Sequence, residues 1–277
     1  MKSQVIDPIV DSAKVGTLIG EYLNRAHYTR LVRGDAMYFS AETGRLVLML
    51  VKQGLPKELC QQAYEHLRTV SKAPHNRGMA VAGKGAMMPE ITRDGMLSPR
   101  LAVPDSVMEA AGNPKSDFIG FFDYDDYRGC RETEWTGSHP EVLAGAEPFI
   151  REINGIFKAA LPYEYATQWA EVRKVPADLR IGETAFTTVT VNKDFRTMCH
   201  RDEGDLRDGM GCMATLGAWQ GYEFIMPQYG IAVDYQPGDL LLADVHLAHG
   251  NGPKGAGERV ATVLYCREGM HLCGRNK

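Results

Sequence analysis

The stretch Thr187-Thr188-Val189-Thr190-Val191-Asn192 runs on through Lys193-Asp194-Phe195-Arg196-Thr197-Met198-Cys199 to His200-Arg201-Asp202. β-Branched residues are stiff in a helix and pack well on a pleated surface, so the opening reads as a buried strand that continues to the His-x-Asp step. Along a strand, residues i and i+2 share a face. That alternation aims the His200 imidazole and the Asp202 carboxylate at one spot, with Arg196 and Met198 on the same face.

Working outward, Gly209–Gly217 and Tyr222–Pro227 read as short strands bounded by glycines. Tyr235-Gln236-Pro237-Gly238-Asp239 carries a Pro-Gly turn into the apolar strand Leu240–Asp244. The next loop holds His246 and His249, and a final strand, Gly257–Tyr265, begins with Arg259. Two histidines and one carboxylate make the facial triad of a non-haem Fe(II) centre, which leaves coordination positions open. Arg259 suits a bidentate grip on a carboxylate. A lone His-x-Asp arises often by chance in surface turns; this whole order of motifs is rarer. His246 and His249 both stand as candidates for the third ligand at this point; the one that is not a ligand orients one or serves the loop.

The 277 residues carry a net charge of −4, 44% hydrophobic and 24% charged side chains, in the ordinary globular range. The balance lacks the strongly basic footprint of a nonspecific nucleic-acid binder. Six dispersed cysteines without a Cys-x-x-Cys disfavour a zinc ribbon and read as buried thiols in a reducing cytosol. No apolar run approaches ~20 residues, so no membrane span is expected. With no apolar signal segment after Met1, the expected location is cytoplasmic.

From the N-terminus, residues 5–33 read as helical and mixed, ending in a basic cluster, Arg25, His27, Arg30 and Arg33. A hairpin is expected around Ala41–Gly44, then a helix over about 57–71. Residues 74–116 read as a long irregular span, functional or mobile, with Arg77 as a candidate ligand contact. Phe118–Phe122 reads as a strand, Asp123–Tyr127 as an acidic and aromatic loop, and Trp135 as a core anchor. Glu141–Leu161 shows helical spacing and stops at Pro162. Helices first and strands later predict an α+β fold with helices packed on a β-barrel or sandwich.

Asn192–Asp202, Gly238-Asp239 with its apolar strand, His249-Gly250-Asn251 and Arg259 together resemble the Fe(II)/2-oxoglutarate-dependent dioxygenases, and more narrowly the TET/JBP branch. Upstream, Asn76-Arg77-Gly78 and Cys130-Arg131-Glu132-Thr133 resemble family blocks before the core, and the chain looks like the compact forms found in phages and microbes. The resemblance implies a double-stranded β-helix (jelly-roll) core with helices on one side. It implies one dioxygenase domain over 1–277, with an N-terminal extension (1–72), a catalytic region (75–267) and a core (185–267). It further implies Fe(II) on His200, Asp202 and His249, 2-oxoglutarate on Arg259 with Arg196 nearby, and O₂ as oxidant. The implied reaction hydroxylates the 5-methyl group of thymine or 5-methylcytosine in DNA, releasing succinate and CO₂. Arg77, Asn192 and Tyr124 are the candidate substrate contacts, since a base must be flipped out to react. The rival expectation is hydroxylation of a free small molecule; a metal-free binding module would have no use for the triad.

Overall fold

The computed structural model describes residues 1–74, 77–81, 88–91, 97–123 and 128–274. Period-two alternation sorts the side chains of its central strands into two sets. On the strand Leu240–Ala243, Leu240 and Leu242 pack in a core with the helices, whereas Leu241 and Ala243 pack the other way. On Gly211–Gly221, Cys212, Ala214 and Leu216 take the helix side and Met213 the opposite one.

Both strands lie in a nine-stranded sheet. Its order is Ser3–Ile6, Ala36–Ser40, Leu46–Val51, Leu240–Ala243, Gly211–Gly221, Lys254–Tyr265, Thr188–Lys193, Lys115–Phe122 and Arg131–Glu132. A four-stranded sheet runs Gly250–Asn251, Phe224–Met226, Ile231–Val233 and Arg30–Val32. Leu48, Leu50, Met213 and Leu241 of the large sheet pack against Phe224, Met226, Ile231 and Val233 of the small one. The two sheets therefore face each other, as the expected α+β jelly roll requires.

The helices Lys57–Leu67 and Pro140–Ala160 cover the outer face of the large sheet. Proline at the first position suits the start of Pro140–Ala160, where its missing N–H has no partner to lose. Val142, Ala146, Phe149, Ile150, Ile153 and Phe157 form its buried stripe. Burying Phe149 or Phe157 contributes ~1.5–3 kcal/mol each. Pro162 then opens the next helix, Pro162–Val172. Trp135 is buried in the same core.

The structure corrects several expectations. The strand that begins at Thr188 ends at Lys193 rather than reaching Asp202. Asp194 turns the chain with φ +50°, and the exchange with Arg259 (Asp194 N to Arg259 O, 2.9 Å; Arg259 N to Asp194 Oδ1, 3.0 Å) holds that turn. Residues 5–33 hold one short α-helix, Ser12–Leu18, and a single 3-10 turn, Arg25–His27, because Ser3–Ile6 and Arg30–Val32 are recruited as parallel strands by Ala36–Ser40 and Ile231–Val233. The hairpin around 41–44 forms, and its second strand pairs with Leu240–Ala243. Within 74–116 lie the helices Gly78–Val81 and Asp105–Ala110 and the hairpin Met88–Ile91 with Leu97–Ala102. Cys60, Cys199, Cys212 and Cys266 are buried free thiols, but Cys130 and Cys273 form a disulfide. A single pair separated by 143 residues leaves no local spacing to read. Among the described residues no helix is long and apolar enough to cross a membrane.

Candidate active site

His200 and His249 are joined through their backbones before their side chains meet anything. His200 N donates to His249 O at 2.8 Å, and His249 N donates to His200 O at 3.0 Å. Gly250 makes this approach possible: a Cβ there would lie 3.0 Å from the Met198 and Cys199 backbone. Asp202 is set by its N–H, which donates to Val245 O at 3.0 Å. The imidazole centroids end 4.5 Å apart. Asp202 Oδ1 lies 3.5 Å from His200 Nε2, and Oδ2 lies 3.7 Å from His249 Nε2. Ligand atoms of the three residues all fall within 4.8 Å of one another.

The proton positions follow from the partners. His200 Nδ1 faces Met198 O at 2.7 Å and His249 Nδ1 faces Leu247 O at 2.9 Å. Carbonyls only accept, so both Nδ1 atoms carry the hydrogen and both Nε2 lone pairs point at the carboxylate. Burial, with His249 beside it, lowers His200 to about 4, which keeps its imidazole neutral. Burial pulls the Asp202 carboxyl upward, but His200, His249 and Arg77 outweigh it and hold the group below its usual value. Two imidazole nitrogen donors, a carboxylate, and carbonyls orienting the rings fit a divalent iron with open positions.

One cavity contains the triad and runs along the strand Lys254–Tyr265, whose alternate residues Arg259, Ala261, Val263 and Tyr265 line it. Those positions span roughly 20 Å at ~3.3 Å per residue. Thr190 and Asn192 line it from the neighbouring strand, and Met213 and Phe224 close its apolar wall. Arg259 is buried, donates from Nη2 to Tyr235 Oη at 2.9 Å, and leaves Nε without a partner. Its guanidinium carbon lies 5.0 Å from the Tyr222 ring, 5.7 Å from Tyr235 and 5.9 Å from Trp219. Among the described residues it forms no ion pair. A buried cation left in that state fits an incoming carboxylate such as the distal group of 2-oxoglutarate.

Arg77 and Asn192 also line the cavity. Arg77 Nη1 donates to Ser116 Oγ at 3.0 Å and Asn192 Oδ1 at 3.1 Å, with its guanidinium 5.0 Å from the Phe118 ring. Arg196 is not brought to the cavity. It donates to Leu23 O at 2.8 Å and stacks on Tyr22 at 4.4 Å, because the i and i+2 alternation stops where the strand stops. His246 is held by Asp244 Oδ1 and Asp205 O, at 3.2 Å each, apart from the ligand cluster. Tyr124 lies outside the described residues. Arg30 sits on the far edge strand of the small sheet, away from Gly250–Asn251, and Arg33 pairs with Asp234 at 3.2 Å.

Sequence reasoning missed Asp205, Tyr235 and Tyr265 on the cavity wall. Asp205 Oδ2 is buried without a partner, and burial together with the charge of Asp202 pushes this carboxyl well above its usual range. Tyr265 was readable: it shares the face of Arg259 by simple alternation.

Fold and site together define an oxygenase of the Fe(II)/2-oxoglutarate kind. Residues 118–268 match the family described as Tet_JBP, the oxygenase domain of the 2OGFeDO superfamily, and the chain belongs to that family. It is 39% identical over 171 residues to thymine dioxygenase JBP1 of Trypanosoma brucei brucei, covering 57% of this chain and 20% of that protein. It is 27% identical over 273 residues to the bifunctional helicase and thymine dioxygenase JBP2 of Trypanosoma cruzi, covering 95% of this chain and 22% of the relative. The chain thus spans about a fifth of the length of these relatives. A solved structure of NgTET1 in complex with 5mC DNA superposes with a TM-score of 0.59 at 12% identity, covering 95% of this chain and 94% of that one, and shares the fold.

Proposed function

We propose that this chain is an Fe(II)- and 2-oxoglutarate-dependent dioxygenase that hydroxylates the 5-methyl group of a pyrimidine in DNA. Thymine is the first base to test, since the curated relatives are thymine dioxygenases. The products are the 5-hydroxymethyl base, succinate and CO₂. One observation carries the reading: a two-histidine, one-carboxylate cluster shares a cavity with a buried, unpaired Arg259.

Bound iron would supply the activation of O₂ coupled to decarboxylation of the keto acid. His200 and His249 would present their Nε2 atoms to it, and Asp202 would contribute the negative charge. Arg259 binds the distal carboxylate and so orients the keto acid. Met213, Phe224, Ala261 and Val263 exclude water along the apolar wall. Asp205 offers a carboxyl, pushed above its usual range by burial, and Tyr265 a phenol at the other end of the cavity, groups that suit the polar edge of a heterocycle better than an alkyl chain. The strands Ala36–Ser40 and Leu46–Val51 sit within the large sheet, which supports treating 1–72 as part of the same catalytic unit. The cytoplasm is the proposed compartment.

The experiment is turnover of the purified protein with Fe(II), 2-oxoglutarate and thymine-containing or 5-methylcytosine-containing DNA. Succinate is assayed, and the digested nucleosides are weighed by mass spectrometry. A 5-hydroxymethyl nucleoside that depends on both iron and keto acid is expected. Turnover on a free nucleotide or amino acid, with DNA left unchanged, would contradict the DNA assignment while keeping the oxygenase.

A further inference from the structure

Resting on the reading that a DNA base reacts in this cavity, we propose that Cys130 and Cys273 form a reversible redox pair. Their disulfide fastens the C-terminal turn beside the cavity and so holds Asp205 on the cavity wall. The bond joins residues 143 apart in the chain. In a reducing compartment such a bond is usually transient and redox-sensing rather than a permanent staple.

Asp205 depends on the C-terminal segment for its place. It lines the cavity, yet residues 203–208 form turns outside any helix or strand. Gly204 through Arg207 are each tied to Cys266–Glu268. Glu268 N donates to Gly204 O at 3.1 Å, and Leu206 N donates to Cys266 O at 2.8 Å. Asp205 bridges to Arg267, and Arg207 N donates to Glu268 Oε2 at 2.6 Å. His246 Nε2 adds one contact, to Asp205 O at 3.2 Å.

The C-terminal segment is in turn fastened across to residues 123–132. Arg267 Nε donates to Asp123 Oδ1 at 2.6 Å, and a Cβ on Gly269 would collide with the Asp123 carboxylate. The 3-10 turn Glu268–Leu272 follows and ends at Cys273. Cys130 precedes Arg131–Glu132, a two-residue strand at the end of the large sheet. A 3-10 turn and a two-residue edge strand hold few backbone bonds, so a covalent link between them removes freedom from both.

The pair is open to exchange from one side. Cys130 is half-buried after the exposed Arg128 and Gly129, whereas Cys273 is buried. A dithiol reductant attacks the Cys130 sulfur as its thiolate, and Cys273 leaves and takes a proton. The reductant's second thiol then closes on the first and frees Cys130, so two electrons pass to the protein. Glutathione disulfide reverses the step and yields two glutathione thiols. Cys266 does not compete, because burial pushes its thiol up to about 12.

The test compares the metal-free full chain after glutathione disulfide and after dithiothreitol, each reagent then removed. Differential alkylation read by mass spectrometry should find Cys130 and Cys273 linked in the first state and alkylated in the second. Amide hydrogen exchange at Leu206, Arg207 and Glu268 should quicken about tenfold or more on reduction, with His200 and His249 unchanged. Cys273→Ser should exchange at the fast rate in both conditions; the wild type in its two states carries the test without any substitution. With Fe(II) and 2-oxoglutarate added, reduction should raise KM for DNA about tenfold and leave KM for 2-oxoglutarate alone. Unlinked cysteines after oxidation, exchange indifferent to the dithiol, or equal KM for DNA in the two states overturns the proposal. Absence of DNA turnover in both states would instead strike the substrate reading, and the exchange result would still decide whether the pair controls the cavity wall.

Discussion

The strands Thr188–Lys193 and Lys254–Tyr265 each present one face to the helices and the other to the cavity, and the two faces are built differently. Val189, Val191, Val260 and Leu264 face the helices, all apolar and buried. Thr190, Asn192, Arg259 and Tyr265 face the cavity, on the same strands and one residue out of step. Apolar packing on the first face stabilises the fold through area removed from water. The second face keeps buried hydrogen-bonding groups unspent, Arg259 Nε among them, a cost to the fold that only a ligand would relieve.

That contrast predicts that substitutions on the two sides separate stability from chemistry. The largest effect is expected at the metal. His200→Ala or Asp202→Ala should lower succinate release well beyond the 10–100-fold that follows loss of a mere orienting partner, with melting temperature little changed. Full turnover in either variant would refute the ligand assignment. On the helix side, Phe157→Ala should cost about 3–5 kcal/mol in denaturant unfolding. The fraction that remains folded should still bind 2-oxoglutarate normally.

Arg259→Met sharpens the comparison, because it should move the two properties apart. Binding of 2-oxoglutarate should weaken by about 1.5–3 kcal/mol, the worth of a hydrogen bond to a charged group. Stability of the ligand-free protein should hold or rise, since an unpaired buried cation is removed. A large loss of stability instead would place Arg259 in the packing of the fold.

The smallest effect is electrostatic. Folded His200 titrates near 4, against 6.5 for an ordinary histidine. As pH falls, the unfolded chain takes up the proton first. The His200 contribution to the stability of the metal-free protein should therefore be constant above about 6.5 and decline between 6.5 and 4, while Asp205, pushed upward, acts in the opposite sense. Urea titrations of the wild type minus those of His200→Ala isolate the His200 contribution. A difference that grows on acidification over this range would reverse the sign and contradict the assignment.

The helix-facing side was legible because burial writes itself as period: Phe149, Ile150, Ile153 and Phe157 announce a helix without any partner being known. His200, Asp202, His249 and Arg259 were legible because their order along the chain is uncommon. Arg196 was misplaced because alternation was carried past Lys193, where Asp194 takes a positive φ and the strand face no longer exists. Tyr222 and Tyr235 belong to short strands and loops whose meeting with Arg259 depends on how the two sheets stack. No local pattern records that, and the same holds for the Cys130–Cys273 pair.

The most direct measurement is anaerobic titration of the full chain with Fe(II), counting ions bound per molecule. One ion per wild-type chain is expected, with saturable binding lost in His200→Ala, Asp202→Ala and His249→Ala alike, while His246→Ala binds as the wild type does. Undiminished binding in any of the first three, or its loss in the fourth, would mean that the cluster seen here is not the metal site.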